Sequence, residues 1–258
     1  MKLTRRYSSS SRVRKLSTVF ALATIVFCGA SFAAHAADAP GRPAKQIRVK
    51  ATGDFEVTGD GSDAAWQKAE WVPLAKRDDG GHDYRTRIKL LYSPTGLYVL
   101  MDATDHRLTT TMKEDFLNLW TEDVFEVFLW TDERQPVYFE YEISPLGYEL
   151  PIIIPNFDGK FYGWRPWHYE GNRRTRKATF AVGGPKKSGA KVKGWQAEVF
   201  MPYALLKPLQ NVPPKPGSRW RANFYRVDYD DGKQTSWDWA RVGPSFHEYQ
   251  KFGTLLFE

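Results

Sequence analysis

From about Gln46 onward the chain breaks into short apolar or alternating runs separated by Gly, Pro, Asn, Asp and Ser, and helical periodicity is nearly absent. Side chains that alternate with period two present one face to a core and the other outward, so such a chain buries its apolar surface by stacking sheets. The strands expected are Ile47–Ala51, Arg85–Tyr92, Leu97–Ala103, Val124–Trp130, Tyr138–Ser144, Thr175–Val182, Trp195–Met201, Arg219–Asp228, Ser236–Ala240 and Gly253–Phe257. Only Asp63–Lys68 and Pro202–Leu206 read as helical turns. The expected fold class is all-β: an antiparallel β-sandwich with a few short helical turns. No interior linker or internal repeat interrupts the pattern, so 46–258 is expected to be one domain.

The sequence carries 37 Lys and Arg against 30 Asp and Glu, a formal net charge of +7. Lys2, Arg5, Arg6, Arg12, Arg14 and Lys15 all precede the first acidic residue, Asp38. Without them the charges nearly balance, so the body has no global electrostatic attraction to nucleic acid. These cations, the apolar run Leu16–Ala34 and the small-residue pattern Ala34-His35-Ala36 make up the three parts of an export signal. Residues 1–36 are therefore expected to be cleaved, leaving 37–45 as a linker and no stable membrane insertion. Thr4-Arg5-Arg6 lacks a full twin-arginine motif, which favours Sec export to a periplasm or the cell exterior. The single cysteine, Cys28, belongs to the apolar run, so the body has no disulfide and no thiolate metal site.

No G-x-S-x-G, H-E-x-x-H, Walker or dinucleotide-binding glycine motif occurs, and His82, His106, His168 and His247 are scattered. The informative stretch is Trp120–Trp130 followed by Tyr138–Ser144. Strand periodicity puts Phe125, Val127 and Leu129 on a core face with Glu126 opposite, and likewise Phe139, Tyr141 and Ile143 opposite Glu140 and Glu142. A hairpin centred near Arg134 then faces Glu126 with Glu142, and Phe128 with Glu140. Like charges directly across a ladder are destabilising, so something must compensate. The candidates are an ion-pair network using Arg87, Arg221 or Arg226, a cation, a shared proton, or a polar ligand. Carboxylates accept hydrogen bonds from vicinal sugar hydroxyls, and a Glu126/Glu142 pair could also serve glycoside hydrolysis.

Tryptophan is the second signal. Trp66, Trp195 and Trp220 sit in regular apolar patterns and are expected in the core, whereas Trp120 follows the turn-like Asp115–Asn118. An indole on a loop leading into a strand can offer its flat face to the C–H face of a pyranose. The basic stretch Arg173-Arg174-Thr175-Arg176-Lys177 reads as a charged edge strand, and Lys186-Lys187 with Lys191 and Lys193 as a solvated hairpin loop.

At these residues the chain resembles carbohydrate-binding module family 9, in particular its larger exported family 9-like members. The matching pieces run in order: Gly61-Ser62-Asp63-Ala64-Ala65-Trp66, then Ile88–Tyr92 with Leu97–Leu100, then Trp120-x-x-Asp123-x-x-Glu126-x-Phe128. Trp195–Glu198, Asn223–Arg226 and Phe246-His247-x-x-x-Lys251-Phe252-Gly253 follow. The resemblance implies a β-sandwich that clamps a sugar between two aromatic rings. Trp120 takes the first clamp position, Glu126 a hydroxyl-binding carboxylate position, and Phe246 the second clamp position, a tryptophan in the best-known members. Glu140 falls near a ligand-binding arginine of those members, a departure that bears on specificity. The candidate ligand-binding set is thus Trp120, Glu126, Phe246, Glu140, Glu142, Arg226 and His247. The family also implies structural calcium, with Asp60 and Asp63 as candidate ligands and turn or cap roles as the alternative.

The function this implies is an exported, non-catalytic glycan-binding protein working beside separate carbohydrate-active enzymes. Pro145–Tyr169, with Phe157, Phe161, Tyr162, Trp164 and Trp167, reads as a binding loop or a hydrophobic flap. Two other readings compete: the hydrolase above, and a heme-binding sandwich with Met101 and either His106 or His247 as axial ligands. Core packing is the simpler role for Met101.

Overall fold

The computed structural model describes residues 45–258 except 168 and 169. The expected export signal, Cys28, most of the linker and His168 lie outside the described residues. Among those described, β1 (Gln46–Ala51), β2 (Val72–Pro73), β3 (Ala75–Lys76), β4 (Thr86–Tyr92) and β5 (Gly96–Thr104) come first. β6 (Val124–Trp130), β7 (Val137–Ile143), β8 (Glu149–Phe157), β9 (Lys160–Phe161) and β10 (Arg165–Pro166) follow. β11 (Arg176–Val182), β12 (Gly194–Pro202), β13 (Arg219–Asp228), β14 (Thr235–Asp238) and β15 (Gly253–Phe257) complete the order. The helical content is single turns, including α1 (Tyr203–Leu206) and 3-10 turns at Ala64–Lys68 and Leu119–Thr121. No described helix is long and apolar enough to cross a membrane.

One sheet runs β10-β8-β7-β6-β13-β15-β1 and the other β1-β4-β5-β12-β11. Strand β1 belongs to both: Gln46–Val49 pair with β15, and Lys50 and Ala51 with β4. Those two pairings are parallel, and the other ladders between described strands are antiparallel. The inner faces pack as the alternation requires. Phe125, Val127, Leu129, Phe139, Tyr141 and Ile143 meet Met101, Trp195, Ala197 and Val199 in one core. The Phe125 and Trp195 rings stack across the sheets with centroids 3.9 Å apart. Trp66, Trp195 and Trp220 are all buried. Edge strand β11 carries the expected charges, with Lys177 paired to Asp115 at 3.0 Å and Glu149 at 2.9 Å.

Strand β8 is a correction: it occupies part of the segment expected as a loop. Pro151 and Pro155 interrupt its pattern, and proline cannot donate to a ladder. The Pro151 carbonyl accepts from Trp167 N at 2.8 Å and that of Pro155 from Tyr162 N at 3.1 Å. In an extended strand a residue's N and C=O point to the same side. Both missing N–H groups therefore face the sparse edge made by β9 and β10, and the β7 ladder loses nothing.

The outer face of the first sheet is apolar too. Phe128, Trp130, Tyr138, Leu150, Ile152, Tyr225 and Val227 form a second cluster, covered by Leu119, Val242, Tyr249 and Phe252. The cover is incomplete, and the gap is the candidate site.

Candidate functional site

The hairpin register is the one the alternation dictates: Glu126 pairs with Glu142 and Phe128 with Glu140. These side chains floor an open cleft of about 950 Å³ on the outer face of the first sheet, lined also by Trp120, Phe246 and His247. Arg226 is the one expected site residue placed elsewhere. β13 pairs Tyr225 with Glu126 and Arg226 with Phe125, and that one-residue offset turns Arg226 to the inner side. There its guanidinium meets Asp105 at 3.0 Å, Asp228 at 2.5 Å and the Thr104 carbonyl at 2.8 Å, fully buried.

None of the arginines considered compensates the carboxylates. Arg87 pairs with Asp102 at 2.7 Å, Arg221 with Glu133 and backbone carbonyls, and Arg226 with its own aspartates. Glu140, Glu142 and Glu126 are only 4%, 0% and 2% exposed. Glu140 Oε2 and both Glu142 oxygens meet no hydrogen-bond partner among the described residues. The Trp120 N–H lies near enough to favour Glu142's charged form without reaching hydrogen-bond geometry. Burial pushes the Glu126 carboxyl up to about 8, against a smaller pull from Arg77. Burial first, and repulsion from Glu126 next, hold Glu140 and Glu142 far above the ordinary carboxylate range. The floor is thus kept largely protonated at neutral pH, and one carboxyl can donate to the other.

Local structure positions the aromatic residues. Asp123, buried at the start of β6, accepts from Thr109 N at 2.6 Å and Tyr229 N at 3.0 Å. Tyr229 Oη in turn donates to the Trp120 carbonyl at 2.9 Å, which holds the turn that presents the half-buried Trp120. The Trp120 ring stands edge to face with Trp164, centroids 5.7 Å apart at 73°. The Phe246 ring stacks on Tyr225 at 4.2 Å, with the Arg77 guanidinium carbon 4.7 Å from its centroid, so part of its surface is already taken. His247 stacks on Phe161 at 4.1 Å, and its Nδ1 sits 2.5 Å from Tyr138 Oη and 3.8 Å from Glu140. Burial pulls this imidazole down to about 4, so it is neutral at physiological pH.

Sequence reasoning had no signal for Tyr229, Gln234 or Arg165, which also line the cleft. The aromatic-rich 145–169 segment did point to Phe161 and Trp164, which form one wall. Phe157 and Tyr162 from the same segment are exposed at 69% and 65%. Trp167 instead packs toward the inter-sheet core, its indole N–H donating to the Leu205 carbonyl at 2.8 Å.

Residues 57–149, which include Trp120, Asp123, Glu126 and the facing Glu140 and Glu142, match the family model described as carbohydrate family 9 binding domain-like. Over that stretch the chain is similar to carbohydrate family 9 binding domains. It is 27% identical over 192 residues to an extracellular protein of Arthroderma benhamiae, covering 67% of this chain and 78% of that protein. Its fold is similar to that of a candidate carbohydrate-binding protein from Bacteroides uniformis, with TM-score 0.70 and 16% identity over 84% of this chain and all of the other. It is also similar to a family 9 carbohydrate-binding module of Caldicellulosiruptor kristjanssonii solved with cellotriose. There the TM-score is 0.60 at 15% identity, over 83% of this chain and 94% of the module. The same module solved with glucose gives TM-score 0.60 and 16% identity, over 83% and 96%.

Asp60 and Asp63, the expected calcium ligands, serve their own turns. Asp60 accepts from Thr58 Oγ1 at 2.7 Å and Ser62 N at 3.0 Å, and Asp63 caps the first 3-10 turn by accepting from Ala65 N at 2.8 Å. A denser acidic group is buried elsewhere. Asp105, Asp123 and Asp228 bring ligand atoms within 4.8 Å of one another. Arg226 already pairs with two of them, and Asp123 takes its two backbone donors, so the group is built as an ion-pair and hydrogen-bond knot. The residues considered for heme lie apart. Met101 is in the inter-sheet core, His106 packs beside Tyr84 and His82 in a separate surface cleft, and His247 is in the outer-face cleft.

Proposed function

We propose that this chain is an exported, non-catalytic carbohydrate-binding protein that holds a sugar unit in the outer-face cleft. In this reading Trp120 supplies the main flat apolar surface, and Phe246 and Trp164 complete the aromatic walls. Glu126, Glu140 and Glu142 take the sugar's polar groups, with His247 beside them. The observation that carries it is the floor itself: buried carboxyl oxygens without protein donors, in a cleft walled by aromatic rings. Unpaired buried polar atoms cost free energy unless a partner arrives, and sugar hydroxyls are suitable partners. The family match and the sugar-bound modules of the same fold support this reading, and the extracellular relative supports export.

Hydrolysis is the weaker use of these carboxyls. A glycosidase places its acid and its nucleophile or base on either side of the scissile bond. Glu126 and Glu142 instead stand side by side on adjacent strands of one floor.

The test is a glycan-array profile of the purified protein, with and without calcium, beside Trp120→Ala checked for folding by circular dichroism. Removing a central aromatic anchor costs about 2 kcal/mol or more, a loss of roughly thirtyfold. Wild-type binding that a folded Trp120→Ala retains would move the site elsewhere, and no wild-type binding would overturn the proposal.

A further inference from the structure

The acidity of the cleft floor exceeds what hydroxyl groups alone call for. Three carboxyl groups converge within reach of one ligand unit, and the nearby cations are committed elsewhere. Arg77 is bound to Asp238 at 2.6 Å and to the Gly243 carbonyl. Arg165 lines the cleft but is exposed and donates to the Trp164 carbonyl at 2.8 Å. His247 has its Nδ1 against Tyr138 and is neutral. Among the described residues no cationic side chain forms an ion pair with Glu126 or Glu142.

We infer that the cleft selects a sugar unit bearing a free amine over its neutral counterpart. This rests on the sugar-binding reading above. An alkylammonium group offers three donors and no acceptor, the complement of a cluster of acceptor-only carboxylates. A hydroxyl offers one donor and no charge, so it can bind the protonated floor but cannot offset carboxylates that ionise. The walls fit the same charge, because the faces of Trp120 and Trp164 attract a cation held within about 6 Å. An arriving ammonium also supplies the counter-charge that the empty floor lacks. The carboxyls held protonated by burial then ionise against it, so binding releases protons.

Isothermal titration calorimetry at pH 7, in two buffers of different ionisation enthalpy, tests this with glucosamine, glucose and N-acetylglucosamine. The expected result is at least tenfold tighter binding of glucosamine than of either neutral sugar, with protons released on binding. Glu142→Gln, or Glu140→Gln should the first not fold, is expected to remove most of that preference. Equal binding of the three sugars would overturn the amine inference and leave the sugar-binding reading standing. A preference that survives in a folded Glu→Gln variant, or that comes without proton release, would overturn the role given to the floor. No binding of these sugars or of any arrayed oligosaccharide would overturn the sugar-binding reading itself.

Discussion

Glu142 concentrates the cost and the use of this site. It is fully buried, faces Glu126 across the ladder, and neither of its oxygens is in hydrogen-bond geometry with a described residue. An acid whose pKa is raised by folding binds more protons folded than unfolded. Its stabilising contribution is therefore complete below the unfolded value near 4.5 and is lost as pH rises towards the folded one, about 8 for Glu126. Asp105, raised to about 7, and Asp123, raised to about 9, act in the same direction, burial being the largest cause for both. His247, lowered from 6.5 to about 4, acts oppositely, adding stability as pH rises through that interval. Above about pH 6.5 the acids act alone. The melting temperature of the unliganded protein should fall from there to about pH 8.5, and Glu142→Gln should flatten the fall. A profile that rises through this range would contradict the protonated floor.

At the scale of elements, Arg226 is a buried polar link between two sheets whose inner faces meet mainly through apolar packing. It leaves β13 on the inner side and binds the Thr104 carbonyl and Asp105 at the end of β5, with Asp228 beside it. Removing one partner of a buried charge cluster leaves the others uncompensated and costs about 3–5 kcal/mol. Urea denaturation of Arg226→Ala should show a loss of that size, while the variant that remains folded binds ligand as the wild type does. A loss of binding in the folded variant would restore Arg226 to the site. The wall formed by β9 and β10 makes the converse prediction. Trp164 packs on the outer-face cluster rather than in the inter-sheet core. Trp164→Ala should therefore weaken glycan binding roughly tenfold or more while shifting the urea midpoint little.

For the whole molecule, β1 decides how the sheets depend on each other. Its first residues extend one sheet and its last two extend the other, and Val49 is fully buried in the shared core. Unfolding should accordingly be a single transition, with tryptophan fluorescence and far-ultraviolet circular dichroism giving the same midpoint. Separate midpoints would mean that the sheets unfold independently. Much of this architecture was legible beforehand. Alternation alone placed Phe125 and Phe139 inward and Glu126, Glu140 and Glu142 together outward, and it paired Glu126 with Glu142, because a period of two leaves one choice of face once the hairpin is centred. The aromatic content of 145–169 marked a wall of the cleft but not which rings would turn into it. Strand β8 was hidden because its prolines obscure the pattern, and only the sparse edge beyond it shows how their missing N–H groups are tolerated. Arg226 was misplaced because its face depends on the register of β13 against β6, a pairing between strands far apart in the chain. The convergence of Tyr229, Phe246, His247 and Trp164 on one gap was likewise decided by tertiary structure. Periodicity determines which way a side chain points from its own strand, but packing of distant segments determines what it points at.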